Sequence, residues 1–297
     1  MKLGSTIIDA TFAEAFRMRY ARLIVTAHDE FWLRAAVAEF TGYASSIIAC
    51  DAEAGVENWL STGETPDRRP GAAILAFGFS AENLGRSLLN RTGQCLMTCP
   101  TTAVYDGLSQ AAERVPLGKS LRFFGDGFQK SKLVGPQRFW RIPVMDGEFL
   151  VAESLGIEKG IGGGNIILQS ADLDEALSAA RHGAEAVAAL AGTITPFPGG
   201  VARSGSKVGS RYKKLKASTS DPFCPTLRGR VESRLHPAAN FAYEIVIDGT
   251  DEQAVGDAMA AAMRAAAGPA VPAISAGNYG GKLGKFHFHL HELLKAD

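Results

Sequence analysis

Four segments of the chain repeat one pattern of apolar and polar positions. Each has an apolar, β-branched run, a turn carrying an acid or a polar cap, a stretch of helical period, and a second short apolar run. The first predicts a strand over 22–27, a helix from His28 to Phe40 and a strand over 45–50. The second predicts a strand over 72–79, a helix over 81–90 and a strand over 94–99. The third predicts 165–169, a helix over 172–190 and 193–197, and the fourth 241–247, a helix over 251–267 and 271–275. Acids sit where the helix dipole favours them, at Asp29 and Glu30, Asp172 and Asp174, and Asp251 and Glu252.

Two such β-α-β units fall in each half of the chain. This predicts an α+β fold of two related ferredoxin-like lobes, an N-terminal lobe over 1–150 and a C-terminal lobe over 151–297. Residues 114–148, rich in Gly, Phe and Arg, read as an excursion inserted in the first lobe.

The fourth unit holds the most informative position. Over 241–248 the alternation places Glu244 with Ala242 and Val246 on one strand face, and Phe241, Tyr243, Ile245 and Ile247 on the other. An acid in mid-strand is partly desolvated, which raises a carboxyl pKa and makes the group a candidate proton donor or acceptor near neutral pH. On the strand alone, a wet-face acid or a salt-bridge partner is the commoner explanation.

Composition narrows the classes. Of 297 residues, 46% are hydrophobic and 21% charged, as in ordinary globular proteins. Basic and acidic residues both number 31, which argues against a nucleic-acid partner and leaves little repulsion between subunits. The first residues lack an apolar signal core, and no run approaches the ~20 apolar residues of a membrane helix, so a cytoplasmic protein is expected. Cys50, Cys95, Cys99 and Cys224 have no metal-ligand spacing and read as free thiols.

Glycine-rich loops follow or precede the later units at 160–164, 199–200 and 277–284, where backbone amides can approach a ligand closely. A long polar stretch with Ser206, Lys207, Ser218 and Thr219 exceeds the usual connection length. At the carboxyl end His287, His289 and His291 alternate, giving either a metal site or, as the commoner outcome, a polar strand face.

Several strings, in order, resemble the formylmethanofuran:tetrahydromethanopterin formyltransferase family. Among them are Asp9-Ala10-Thr11-Phe12-Ala13-Glu14-Ala15-Phe16, Phe197-Pro198-Gly199-Gly200, Ser206-Lys207-Val208-Gly209-Ser210 and Tyr243-Glu244-Ile245-Val246-Ile247. The resemblance implies transfer of a formyl group between tetrahydromethanopterin and the amine of a methanofuran-type carrier in one-carbon metabolism, without a tightly bound cofactor or metal. It places the catalytic glutamate on Glu244. It also implies a homo-oligomer and, for a bacterial member, a place in a formyltransferase/hydrolase complex of formaldehyde oxidation. Ser206, Lys207, Ser218, Thr219 and Asn278 are candidate substrate contacts by polarity and loop position. Two other readings stand beside this one: a metal-dependent amidohydrolase using the terminal histidines, and a non-catalytic scaffold subunit.

Overall fold

The computed structural model describes residues 1–295. It forms two compact units, Met18–Gly160 and a second made of Met1–Arg17 with Ile161–Asp297. The unit boundary falls inside two long strands, Phe12–Thr26 and Ser154–Ser170. The sequence reading grouped the first residues with the earlier half, but they join the later unit because they pair there. Strand Thr6–Ile8 runs parallel to Ala273–Ser275, with Ile7 opposite Ala273. Phe12 to Ala15 pair antiparallel with the strand Phe286–His289. The fold is mixed α+β and dominated by sheet.

In the middle unit four strands lie in the order Glu53–Leu60, Gly71–Gly78, Phe12–Thr26, Ala103–Asp106, each antiparallel to its neighbour. Two helices, Glu30–Thr41 and Ala81–Arg91, start where expected. Asp29 accepts from the Trp32 N–H and Ser80 from the Asn83 N–H, satisfying donors that a helix start leaves free. Leu33, Val37 and Phe40 from one helix and Leu84 and Leu88 from the other close over Leu23, Val25 and Ile74.

Two expected strands of this unit do not form. At 45–50 the Ser46 carbonyl accepts from the N–H groups of Ala49 and Cys50, and Glu53 accepts from Ile47, so the segment turns. The strand after the first helix is Glu53–Leu60 instead. At 94–99 the helical hydrogen bonding continues past Arg91 as a π-turn over Thr92–Leu96. A short apolar run fits a buried turn of helix as well as a strand, and periodicity does not separate them. Within the expected excursion, Lys130–Val134, Gln137–Val144 and Gly147–Ala152 form an antiparallel meander, and Gly147–Ala152 pairs parallel with Ala103–Asp106.

In the later unit the strand order is Ala273–Ser275, Ser154–Ser170, Phe241–Gly249, Thr193–Ile194, again antiparallel throughout. Helices Leu173–Ala188 and Glu252–Ala266 are capped by Asp172 and Asp251 and cover one face. Ile166, Leu168, Ile245, Ile247 and Ile274 are buried beneath them with Val187, Met259 and Met263. Strand alternation sends Asn165, Ile167 and Gln169, with Ala242, Glu244 and Val246, to the opposite face. Neither of those two helices covers that face. Phe223, Leu235 and Ala239, from the long connection after Thr193–Ile194, pack on Ile167 and Ala242. Among the described residues no helix is long and apolar enough to cross a membrane.

Candidate active site

The site grows from that second face. Glu244 lies directly opposite Ile167, between Tyr243 and the buried Ile245. Its backbone is fixed on the other side by reciprocal hydrogen bonds with Ala202, N–H to carbonyl at 2.7 and 3.0 Å. The long connection therefore docks on the edge of the Glu244 strand and forms a small cleft over it. Arg203, Ser204, Ser220 and Cys224 line this cleft with the carboxyl group.

The electrostatics of Glu244 are simple. The carboxyl keeps partial access to solvent, yet protein surrounds it closely, and burial pushes its pKa up to about 7. Among the described residues, no cation pairs with it and no hydrogen bond reaches its carboxyl oxygens. A group of this kind exchanges a proton near neutral pH, the property that general acid–base catalysis needs.

One wall beside it is built by Asn165 and Gly277. The Asn165 carboxamide grips the Gly277 backbone from both sides, accepting from its N–H at 2.6 Å and donating to its carbonyl at 3.2 Å. A Cβ at Gly277 would stand 3.3 Å from Asn165 Oδ1 and 3.6 Å from Glu244 Oε1, which places the loop in contact range of the carboxyl.

The other sequence-predicted residues separate into three groups. Lys207, Ser218 and Thr219 line a neighbouring, more open cleft with Arg211, Tyr212 and Arg230. There Lys207 is paired with Asp221 at 2.7 Å, and Ser218 donates to the Gly209 carbonyl. Ser206 is exposed and lines neither cleft. The carboxamide of Asn278 is engaged at both ends, donating to Thr11 Oγ1 and the Phe12 carbonyl and accepting from Gly280 N–H, and it lines neither cleft.

The terminal histidines do not converge. His287 and His289 pack against the Phe12 ring at centroid distances of 5.0 and 5.2 Å, and His291 Nε2 donates to the Ile8 carbonyl. Among the described residues no group of three potential ligands gathers there or elsewhere.

Sequence reasoning missed Asn165, Arg203 and Glu14. Glu14 carried the same signature as Glu244, an acid inside an apolar strand between Ala13 and Ala15, and it is 1% exposed. Asn165 gave no comparable signal, because its partner lies 112 residues away.

The sequence profile of formylmethanofuran-tetrahydromethanopterin formyltransferase matches residues 1–144, and the profile of the proximal lobe of the same family matches 147–293. A formylmethanofuran–tetrahydromethanopterin formyltransferase of Methylococcus capsulatus is 50% identical over 298 residues, covering 99% of this chain and all of that one. The crystal structure of the formyltransferase/hydrolase complex of Methylorubrum extorquens, solved with methylofuran, contains a chain 45% identical at a TM-score of 0.95, over 99% of this chain and 98% of that one. The formyltransferase structure from Methanosarcina barkeri superposes at a TM-score of 0.94 with 44% identity, over 99% of this chain and all of that one. The chain belongs to the formylmethanofuran–tetrahydromethanopterin formyltransferase family.

Proposed function

We propose that this chain transfers a formyl group between a nitrogen of tetrahydromethanopterin and the amine of a methanofuran-type carrier, with Glu244 as the proton shuttle. The observation that carries the reading is a carboxyl in a cleft, without a cationic partner among the described residues, whose pKa burial pushes up to about 7. At neutral pH such a group is present in both protonation states, so one residue serves as base and acid in turn.

The chemistry is acyl transfer between nitrogens. The incoming amine attacks the formyl carbon, a C–N bond forms, and the carbonyl oxygen takes the electron pair. Ionised Glu244 takes a proton from the attacking nitrogen. The tetrahedral intermediate collapses, the second C–N bond breaks, and Glu244 returns the proton to the departing nitrogen. Atoms and charge balance without a covalent enzyme intermediate. The developing oxyanion needs donors in the same cleft. Arg203, Ser204 and Ser220 are the polar side chains that line it.

Ser206, Lys207, Ser218 and Thr219 remain the proposed carrier contacts along the long connection. Within that connection Lys207 and Ser218 stand opposite each other in a two-strand ladder. Each unit repeats one strand order with two helices, which supports a ferredoxin-like plan used twice. We extend the proposal to a cytoplasmic homo-oligomer without a tightly bound cofactor, working in a formyltransferase/hydrolase complex. The 45% identity to a chain of the Methylorubrum extorquens complex supports that placement.

A formyl-transfer assay on the purified chain, with formyl-tetrahydromethanopterin and methylofuran as the pair, tests the reading. Turnover by the chain alone is expected. Absence of turnover in a folded chain would sink the catalytic role and leave a scaffold subunit.

A further inference from the structure

Glu14 is a buried carboxylate, 1% exposed, and its recorded hydrogen bonds all come from backbone. Four N–H groups of one loop converge on it. Oε2 accepts from Tyr279 and Gly281 at 2.7 and 2.8 Å, and Oε1 from Leu283 and Gly284 at 2.6 and 2.5 Å. Burial alone would raise this carboxyl's pKa, but the four N–H groups together hold it below the ordinary carboxylate value. The loop's composition follows from this arrangement. Gly281 takes a left-handed φ of +71°, and a Cβ on Gly284 would stand 2.4 Å from the Ala15 carbonyl oxygen.

The glycine-rich loop is therefore wrapped around a charge of its own chain. Those four amides are already donated, and the Gly277 and Gly280 amides are held by Asn165 and Asn278. The same loop begins at Gly277, whose carbonyl also accepts from the Glu14 N–H, and Gly277 stands against Glu244. One residue thus fixes both ends of the wall beside the reactive carboxyl.

We propose that Glu14 is a positioning residue for the Glu244 chemistry: its ionised carboxylate gathers the 277–284 loop, and the loop holds Glu244 in its cleft. This rests on the reading of Glu244 as the proton shuttle.

The test is Glu14→Gln, which keeps the shape but turns a carboxamide NH₂ toward two backbone N–H groups. In the folded variant, kcat/KM should fall on the order of 10²-fold, the scale of an ångström-sized misplacement. The pH–rate limb near 7 should also move to lower pH, because an opened wall lets water reach Glu244. A merely structural role would lower stability and leave that limb in place. Wild-type rate with an unmoved limb overturns the proposal.

Two measurements hold even if that variant fails to fold. Gly281→Ala strains the loop without changing the charge, and it should lower kcat/KM with the same limb shift; an unchanged rate and limb overturn the proposal. Amide exchange in the wild type should show Tyr279, Gly281, Leu283 and Gly284 protected together, and exchange at free-peptide rates overturns it. Glu244→Gln, assayed alongside, separates the two ideas. If it is inactive while Glu14→Gln is normal, only the positioning role falls; if it stays active, the shuttle itself falls.

Discussion

The two units hold their most buried acids in different ways. In the middle unit Glu57, Asp67 and Asp106 meet cationic side chains, while Glu53 takes the Ile47 N–H. Arg22 grips Glu57 with two hydrogen bonds of 2.6 and 2.7 Å, and Arg114 reaches the buried Asp106 at 2.5 Å. Asp67 is ringed by Thr26, Arg69 and Tyr105; burial opposes its charge, but these partners hold its pKa below the usual range. In the later unit Glu14 is held by backbone amides, and Glu244 by none of the groups described. A paired charge has its ionisation fixed across the working pH range and can only stabilise. An unpaired, desolvated carboxyl is free to change state, so chemistry resides where the pairing stops.

The sharpest way to break this contrast is to remove the titrating group and leave its shape. Glu244→Gln should keep the fold and lower formyl transfer by roughly 10²–10⁴-fold, the usual contribution of one general acid–base group. A variant with more than about half of the wild-type rate takes Glu244 out of that role.

Next in size is a stability effect in the other unit. Glu57 is nearly buried and the Arg22 side chain only partly so, and Glu57→Gln removes the carboxylate that Arg22 grips. Losing charge-assisted hydrogen bonds of this kind costs about 1.5–3 kcal/mol. Melting should fall accordingly, while the pH–rate limb of the folded fraction stays at about 7. A limb that moved with Glu57 would show the two units to be electrostatically coupled and dissolve the contrast.

The sequence carried some of this picture and not the rest. Three helix starts were legible because Asp29, Asp172 and Asp251 announce themselves locally. The alternation singled out Glu244 as an acid in mid-strand, but on the strand alone a wet-face acid was the commoner explanation, and its catalytic reading came from the family resemblance. The strands after the first two helices were misplaced. Serine 46 and the π-turn after Arg91 redirect short apolar runs, and only tertiary contact decides between turn and strand. Glu14 carried the same local signal and was overlooked; what the sequence does not show is its partners, backbone N–H groups 265–270 residues away. The candidate contacts were chosen by polarity and loop position. Neither distinguishes Lys207, which lines a cleft, from Asn278, whose amide donates to Thr11 and Phe12 of the amino-terminal segment.

A smaller effect concerns the stability cost of keeping Glu244 unpaired. Its folded pKa is about 7 against an ordinary 4.5. Between those values the folded chain holds a proton that the unfolded chain has lost, so wild-type stability falls as pH rises through this window. Glu244→Gln removes the titration. It should melt above the wild type at pH 8, by on the order of 2 kcal/mol after allowing for residual solvent screening, and show little of this gain below pH 4.5. An equal difference at both pH values would mean that the carboxyl is not desolvated.

The smallest expected effect is none at all, and it bears on the one cluster that resembles a metal site. His287 and His289 share a strand face but spend it on the Phe12 ring. His291 lies in the following turn of helix, Leu290–Leu293, and a carbonyl can only accept, so its Nε2 carries the proton given to Ile8. That leaves Nδ1 as its single lone pair, in a residue already tethered to another strand. Three imidazoles placed this way pack the carboxyl end against the amino-terminal strands and do not converge on one point. Prolonged chelation should therefore leave both the rate of formyl transfer and the melting temperature where they were. Activity lost to a chelator and restored by zinc would move the chemistry from the unpaired carboxyl to the histidines, and the contrast between the two units would no longer locate the site.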